Sequence, residues 1–381
     1  MAERRLGIVF NGATGELARR QHLPGLLAMV REGGLALSNG DRLVPDLLLV
    51  GRSAERLAPV ARALGVERWT TDLDAALASP DHPVFFDAGA TGGRVELAHR
   101  AIAAGKHVYI EKPVARDLAG ALGLLDAARR AGVKHGTVQD KLFLPGFAAL
   151  RGLIRSGALG RLLELRLEMG RWIFDGFDVP GQRPSWNYRK ADGGGLILDM
   201  FPHWRYMLDG LAGEVRSVSA VHRTQVPRRV DEHGQPYEVD VEDAVFAKLE
   251  LEGGVIASVN SSWATRVRRD AGIQVQVDGT LGSAVGGPFE CWVQTLADTP
   301  KGAIASAIRQ TASFFDQWTP VPVEQEPVGS YRAGWELFLR HVAEDAPFPY
   351  SLLEGAKGVQ LAEAAYRSHL ERRWVDLPSL G

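Results

Sequence analysis

The sequence predicts an α/β fold: an N-terminal doubly wound parallel sheet, followed by an α+β domain with an open, mainly antiparallel sheet. Three observations predict it. Short apolar runs alternate with helical patterns through about residue 139, the signature of strand–helix–strand units. From residue 162 onward the apolar spacing changes to strand-type alternation. The 381 residues are also too many for one small core and suit two domains, at 1–139 and 140–381.

The elements follow in chain order. Residues 6–10 form an apolar run closed by Asn11-Gly12, as expected of a buried parallel strand. Residues 16–31 carry helical spacing through Leu17, Leu23, Leu26, Leu27 and Val30, with Pro24 placed to kink or divide the helix. Strands at 46–50, 84–87 and 108–110 alternate with helices at 53–64, 95–104 and 118–131. A helix at 145–156 leads into the alternating segments 163–169, 215–222, 244–251, 255–262 and 273–277. A polar, turn-rich insertion occupies 231–236. Two amphipathic helices, 335–344 and 353–372, close the chain, the second with Ser351 as N-cap and Glu354 three residues on.

Composition excludes several classes of function. Hydrophobic residues make up 45% and charged residues 24%, the balance of an ordinary soluble protein. A net charge of −2 gives no footprint for nucleic acid or an anionic membrane. Cys291 is the only cysteine, so there is no intramolecular disulfide and no thiolate metal cage. No constellation of metal ligands is visible. No apolar run approaches the ~20 residues of a membrane helix, and the N-terminus runs directly into a strand without room for a signal peptide. A cytoplasmic location is expected.

The first chemical motif follows the first strand: Asn11-Gly12-Ala13-Thr14-Gly15-Glu16-Leu17-Ala18. Small residues between a strand and a helix let backbone N–H groups and the helix dipole approach a pyrophosphate. Gly12, Thr14, Gly15, Glu16 and Leu17 are therefore candidate cofactor-binding residues of a Rossmann domain. The second strand ends in Gly51-Arg52-Ser53, without the acid that binds the ribose 2′-hydroxyl in NAD enzymes. Arg52 and Ser53 suit a 2′-phosphate, which favours NADP, with NAD possible. The bland alternative is a solvated Arg52 with Ser53 as a helix N-cap.

Two further blocks lie downstream. In Gly105-Lys106-His107-Val108-Tyr109-Ile110-Glu111-Lys112-Pro113, the proline directs Lys112 out from the C-terminal end of a strand, the edge where α/β sheets bind ligands. In Gly193-Gly194-Gly195, then Asp199 and His203, the acid and imidazole share a face if the segment is helical. The glycines are expected to bring this backbone against the nicotinamide. A general base with an orienting carboxylate, and a cation beside the reacting oxygen, are what hydride transfer from an alcohol requires.

With these blocks together, the chain resembles the Gfo/Idh/MocA oxidoreductases, which act mainly on sugars and cyclitols with NAD(P). The resemblance spans essentially the whole length and rests on the glycine loop, the Glu-Lys-Pro block and the Gly-Gly-Gly-x-x-x-Asp-x-x-x-His block. It implies that Lys112 approaches both nicotinamide and substrate hydroxyl, and that Asp199 and His203 are the catalytic pair, with His203 the base. Thr91 and Glu111 join the cofactor-binding set, and Asp140, Trp186 and Tyr188 join Lys112, Asp199 and His203 in the substrate-binding set. It also implies a homodimer or homotetramer formed through the second-domain sheet. The chain departs from the family pattern at Gly89-Ala90-Thr91-Gly92-Gly93, at Tyr206, and in the segment from Gln139 to Pro145. Its opening also looks like that of glucose-6-phosphate dehydrogenases, whose phosphate-sugar motif is absent.

Trp172, Trp186, Tyr188 and Trp204, with Asn187, Arg189 and Arg205, surround the catalytic block in sequence. Aromatic faces and polar side chains suit a saccharide. No phosphate-binding cluster accompanies them, so a neutral sugar, glycoside or cyclitol is the expected small-molecule partner. Two alternatives share the motifs: an NAD-dependent glycosidase of the same fold, and a catalytically silent cofactor-binding regulator.

Overall fold

The computed structural model describes residues 2–173, 179–181, 183–269, 271–301, 313–324 and 329–381. They divide into two units, one of Met1–Asp140 with Val328–Gln360, the other of Lys141–Pro327 with Leu361–Gly381. Among the described residues no helix is long and apolar enough to cross a membrane.

In the first unit, strands β1 (Glu3–Asn11), β2 (Leu35–Ala36), β3 (Arg42–Val50), β4 (Trp69–Thr70), β5 (Val84–Asp87), β6 (His107–Ile110) and β7 (His135–Thr137) form one sheet. Its order is β2-β3-β1-β5-β6-β7, with β4 also on β3. All pairings are parallel except β2 with β3. The interior strands read Ile8-Val9-Phe10 and Val84-Phe85-Phe86 because helices cover both faces and no position faces water. The register aligns Asn11 with Val50 and with Asp87, and Asp87 with Ile110. Four strand ends therefore finish on one edge. The chain leaves β1 towards β3 on one side and returns on β5 on the other, so the crevice beside β1 is the switch point where such sheets bind ligands.

The helices of this unit are α1 (Leu23–Arg31), α2 (Ala54–Leu64), α3 (Leu73–Ala78), α4 (Thr91–Ala103) and α5 (Leu118–Ala131). Ser53 caps α2 by accepting the Arg56 N–H at 3.3 Å, and Gly65 ends it at φ 68°. The predicted helix at 16–31 contains a π-turn over Ala18–His22 before α1. Pro24 has no N–H to continue the ordinary ladder back to Arg20, and the backbone widens there.

Residues 328–360 belong to the first unit, where the sequence reading carries the second domain from 140 through to 381. In the late helix Ser330–Glu344, Trp335, Phe338 and Leu339 form an apolar stripe that is buried against the sheet. Phe338 stacks on Tyr109 at 4.6 Å, and Trp335 lies 4.8 Å from Phe86. Periodicity shows that a stripe needs a partner, but it does not say which sheet supplies it.

The second unit is built on β8 (Leu162–Gly170), β9 (Val215–Arg223), β10 (Arg228–Val230), β11 (Pro236–Glu238), β12 (Ala244–Leu251), β13 (Ile256–Ser262), β14 (Ile273–Gly279), β15 (Gly282–Gly286), β16 (Cys291–Thr295), β17 (Thr319–Pro320) and β18 (Val375–Asp376). Nine of these form a sheet ordered β17-β16-β15-β14-β8-β13-β12-β9-β18, antiparallel except between β8 and β13. Along β12, Ala247, Leu249 and Leu251 are buried while Phe246, Lys248 and Glu250 face outward, the alternation of a sheet covered on one side. The polar insertion is the turn between β10 and β11, where the Asp231 carboxylate accepts the His233 and Gln235 N–H groups at 2.9 Å. Helix α6 (Pro145–Arg155) precedes the sheet, and α7 (Leu196–Ala212) packs against its inner face at β12 and β9.

Candidate active-site residues in the two units

At the sheet edge of the first unit, Gly12 has φ 80°, and a Cβ there would lie 2.7 Å from the Ala88 carbonyl carbon and the Gly89 nitrogen. Only glycine fits this turn. The Gly15 N–H closes it on the Gly12 carbonyl at 2.9 Å, and helical structure begins at Glu16. A narrow glycine turn at the switch point, opening directly into a helix N-terminus, fits a dinucleotide pyrophosphate. Thr14 and Gly15 are partly accessible, and Glu16 and Leu17 exposed, along this turn. Arg52 is exposed beyond the tip of β3, while Ser53 serves as the α2 cap. Thr91 opens α4 and is buried.

Beneath this edge lies a buried ionic network. Arg94 bonds the Asp87 carboxylate through Nε at 2.9 Å and donates to the Pro113 and Gly89 carbonyls at 2.5 and 2.6 Å. The other Asp87 oxygen accepts from Asn11 at 2.7 Å and from the Gly89 N–H at 3.1 Å. Glu111 is also buried. One of its oxygens meets His22 Nε2 at 2.7 Å and the other accepts the Lys112 N–H at 3.0 Å. Both Glu111 carboxylate oxygens are thus engaged within the unit. Lys112 is half-buried at the same edge, and the Lys112–Pro113 peptide is cis.

In the second unit, Asp199 and His203 stand one turn apart on α7, as their spacing predicts. The Asp199 carboxylate accepts from Arg183 at 2.8 Å, and the Arg183 guanidinium lies 4.6 Å over the Trp263 ring. Burial pulls the Arg183 guanidinium down, but the Asp199 charge, its hydrogen bond and Tyr188 together hold it above the ordinary arginine range. His203 is 4% exposed, with Tyr206 edge-on at 6.0 Å. The Tyr206 hydroxyl accepts the Lys141 N–H at 2.6 Å, which gives this departure from the family pattern a structural task.

Gly194 and Gly195 pack closely within their own unit. A Cβ on Gly194 would lie 2.4 Å from the Asn187 carbonyl oxygen, and one on Gly195 2.9 Å from the Glu242 carboxylate. Gly195 also sits at φ 115°. With no side chain at the N-cap, the start of α7 is capped from a distance. The Glu242 carboxylate accepts the Ile197 N–H at 2.7 Å and the Tyr366 hydroxyl at 2.9 Å, and the Glu242 carbonyl accepts the Leu196 N–H at 3.1 Å.

The expected substrate residues separate. Trp186 is 40% exposed and offers a ring face. Tyr188 is 1% exposed, with Trp263 edge-on at 5.7 Å and the Arg229 guanidinium 4.3 Å from its ring, so it is a core residue of this unit. Asp140 is likewise buried. Trp204 is fully buried with its indole N–H on Ser261, and Arg205 is buried between Asp209 and Glu214. Neither suits a sugar platform. Sequence reasoning misses Arg183, His22 and Trp335, because each acts on a residue far along the chain and none stands in a recognisable motif. Among the described residues no group of three or more His, Cys, Asp or Glu side chains is placed to hold a metal ion.

Comparisons with known proteins agree with this architecture. Residues 32–138 match the oxidoreductase family with an NAD-binding Rossmann fold, and residues 147–285 match the GFO/IDH/MocA C-terminal domain. A D-xylose dehydrogenase of Paenarthrobacter nicotinovorans is 43% identical over 98% of this chain and 97% of its own. A levoglucosan dehydrogenase of Pseudarthrobacter phenanthrenivorans is 26% identical over 86% of this chain and 88% of its own. A solved levoglucosan dehydrogenase, in complex with NADH and L-sorbose, superposes with a TM-score of 0.83 at 24% identity, covering 99% of this chain and all of the other. The chain belongs to the Gfo/Idh/MocA oxidoreductase family.

Proposed function

From that membership, we propose that the protein oxidises a carbinol of a neutral sugar, an aldopentose such as D-xylose foremost, with an NAD(P) cofactor as hydride acceptor. The observation that carries this reading is the 43% identity to a D-xylose dehydrogenase along nearly the full length of both chains. The Lys112, Asp199 and His203 motif residues supply the groups the chemistry needs. When bound, the oxidised nicotinamide supplies the hydride acceptor.

In this reading His203 takes the hydroxyl proton while the carbinol hydrogen departs as hydride, leaving a carbonyl. Asp199, set one turn before it on α7, orients the imidazole. The Lys112 ammonium stabilises negative charge growing on the sugar oxygen. In reduction each role reverses. Arg52, exposed where NAD enzymes keep an acid, supports a preference for NADP over NAD. The same reading carries self-association through the nine-stranded sheet, supported by the exposed Val221, Phe246 and Ile256 on its outer face. Light scattering tests it, and a monomer would refute it.

The deciding assay mixes the protein with NADP or NAD and a panel of pentoses, hexoses, anhydrosugars and cyclitols, and follows absorbance of the reduced nicotinamide. Turnover is expected with a pentose, with the higher kcat/KM for NADP. Tight nucleotide binding without turnover would overturn the dehydrogenase reading and favour a glycosidase or a silent regulator. His203→Ala should lower kcat by roughly 100-fold or more, and unchanged turnover would remove His203 from the role of base.

A further inference from the structure

Two buried networks grip the main chain on either side of Lys112, and we propose that His22 and Arg94 are positioning residues for hydride transfer. They act on Lys112 through the Glu111 carboxylate and the Pro113 carbonyl. The proposal rests on the role given to Lys112 above.

On the N-terminal side, the Trp335 indole N–H donates to His22 Nδ1 at 3.0 Å. An indole only donates, so Nδ1 must accept, and the ring proton belongs on Nε2. Nε2 therefore donates to Glu111 Oε1 at 2.7 Å, and the second carboxylate oxygen is left to accept the Lys112 N–H at 3.0 Å. Trp335 and His22 are fully buried, and Glu111 nearly so. On the C-terminal side, Arg94 holds the Pro113 carbonyl at 2.5 Å while Asp87 holds Arg94 at 2.9 Å. Neither His22 nor Arg94 has surface to offer a substrate.

A lysine carries its charge on a flexible four-carbon stem, so its root must be fixed if the ammonium is to meet one oxygen. Buried polar networks are a poor way to gain stability, since apolar packing does as well. Their placement, on the Lys112 N–H and on the Pro113 carbonyl one peptide group further on, gives them a purpose: an error of about 1 Å in a reacting group costs roughly 100-fold in rate. His22 lies in the π-turn, which is where the backbone departs from regular helix.

The test compares His22→Leu, His22→Gln, Trp335→Phe and Lys112→Met in the full chain. It measures hydrogen exchange at the Lys112 amide, dinucleotide Kd, kcat, KM and Tm. His22→Leu should speed Lys112 amide exchange by about tenfold and lower kcat by roughly 10-fold to 100-fold, with Kd and KM within about twofold. His22→Gln, whose amide N–H replaces the Nε2 donor, should restore most of both. Trp335→Phe, which removes the indole donor and part of its ring, should show the same pattern more weakly and serves if His22→Leu does not fold. Unchanged exchange in folded His22→Leu would overturn the proposal, as would a kcat loss that follows Tm and is not rescued by glutamine. If Lys112→Met keeps full turnover, the role given to Lys112 falls, and the positioning proposal falls with it. Loss in Lys112→Met beside normal kcat in His22→Leu would instead sink the positioning proposal alone.

Discussion

Gly12 shows how much of the proposed nucleotide cradle rests on one absent methyl group. An alanine there would have to hold φ 80° and place its Cβ 2.7 Å from two backbone atoms of the β5–α4 connection. The conformation alone costs about 1 kcal/mol, and the collision adds to it. Gly12→Ala should therefore lower Tm and weaken dinucleotide binding together; a titration showing parent-like affinity would remove Gly12 from the cradle. Residues of this kind are legible in sequence because the spacing of small residues after a strand has one main use. Lys112, Asp199 and His203 are legible for a similar reason, each standing in a compact block. Tyr188 and Trp204 are not, since aromatic residues near a motif look the same whether they face a ligand or a core. Arg183 and His22 escape because their partners, Asp199 and Glu111, lie 16 and 89 residues away.

Helix α7 carries the proposed catalytic pair of the second unit, and its beginning is held by a residue outside it. Gly195 cannot cap, so Glu242 supplies the acceptor for Ile197, with Tyr366 fixing the carboxylate. Burial raises the Glu242 carboxyl above the ordinary range, against the opposing pull of these hydrogen bonds. Glu242→Ala leaves a buried helix N–H unsatisfied at a cost of about 1–3 kcal/mol. It should loosen the first turn, which ends at Asp199. Both Tm and kcat should fall, while Glu242→Gln, which keeps an acceptor, should stay closer to the parent; an alanine variant with parent-like melting and turnover would show that the cap is dispensable. The interior parallel strands can be read from sequence because burial on both faces leaves continuous apolar runs. The two-residue strands β2 and β4 and the six-residue α3 cannot, being shorter than the period that would reveal them. The N-terminal turn of the Ser330–Glu344 helix, which reads Ser-Tyr-Arg-Ala-Gly, likewise lacks an apolar repeat.

At the scale of the whole molecule, the histidines set the acid limit. His82, His107 and His135 in the first unit, and His222 and His369 in the second, are all held below the ordinary value of 6.5, with burial the largest cause in each. Burial pushes His222 down to about 4, helped by the His369 ring, which lies tilted 3.9 Å away. The His222 backbone N–H also donates to His369 Nδ1 at 3.3 Å, an acceptor that protonation would remove. A histidine lowered by folding is protonated more readily in the unfolded chain, so acid favours unfolding. The sign is then fixed: the stability these histidines contribute is flat above pH 6.5 and declines as pH falls from 6.5 towards 4. Surface carboxylates held low by their cations, such as Glu32 beside Arg332 and Asp345 beside Lys134, add a separate loss at more acid pH, as they become protonated. His107 and His135 stand at the N-terminal ends of β6 and β7, opposite the edge that carries Lys112. The effect of these two histidines should therefore appear in melting and not through the Lys112 edge. Thermal melts across pH 8 to 4 should show Tm falling below about pH 6.5, and His222→Gln should flatten part of that decline without changing Tm at pH 8. An equal slope in the variant would show that the loss arises from groups other than the His222–His369 pair.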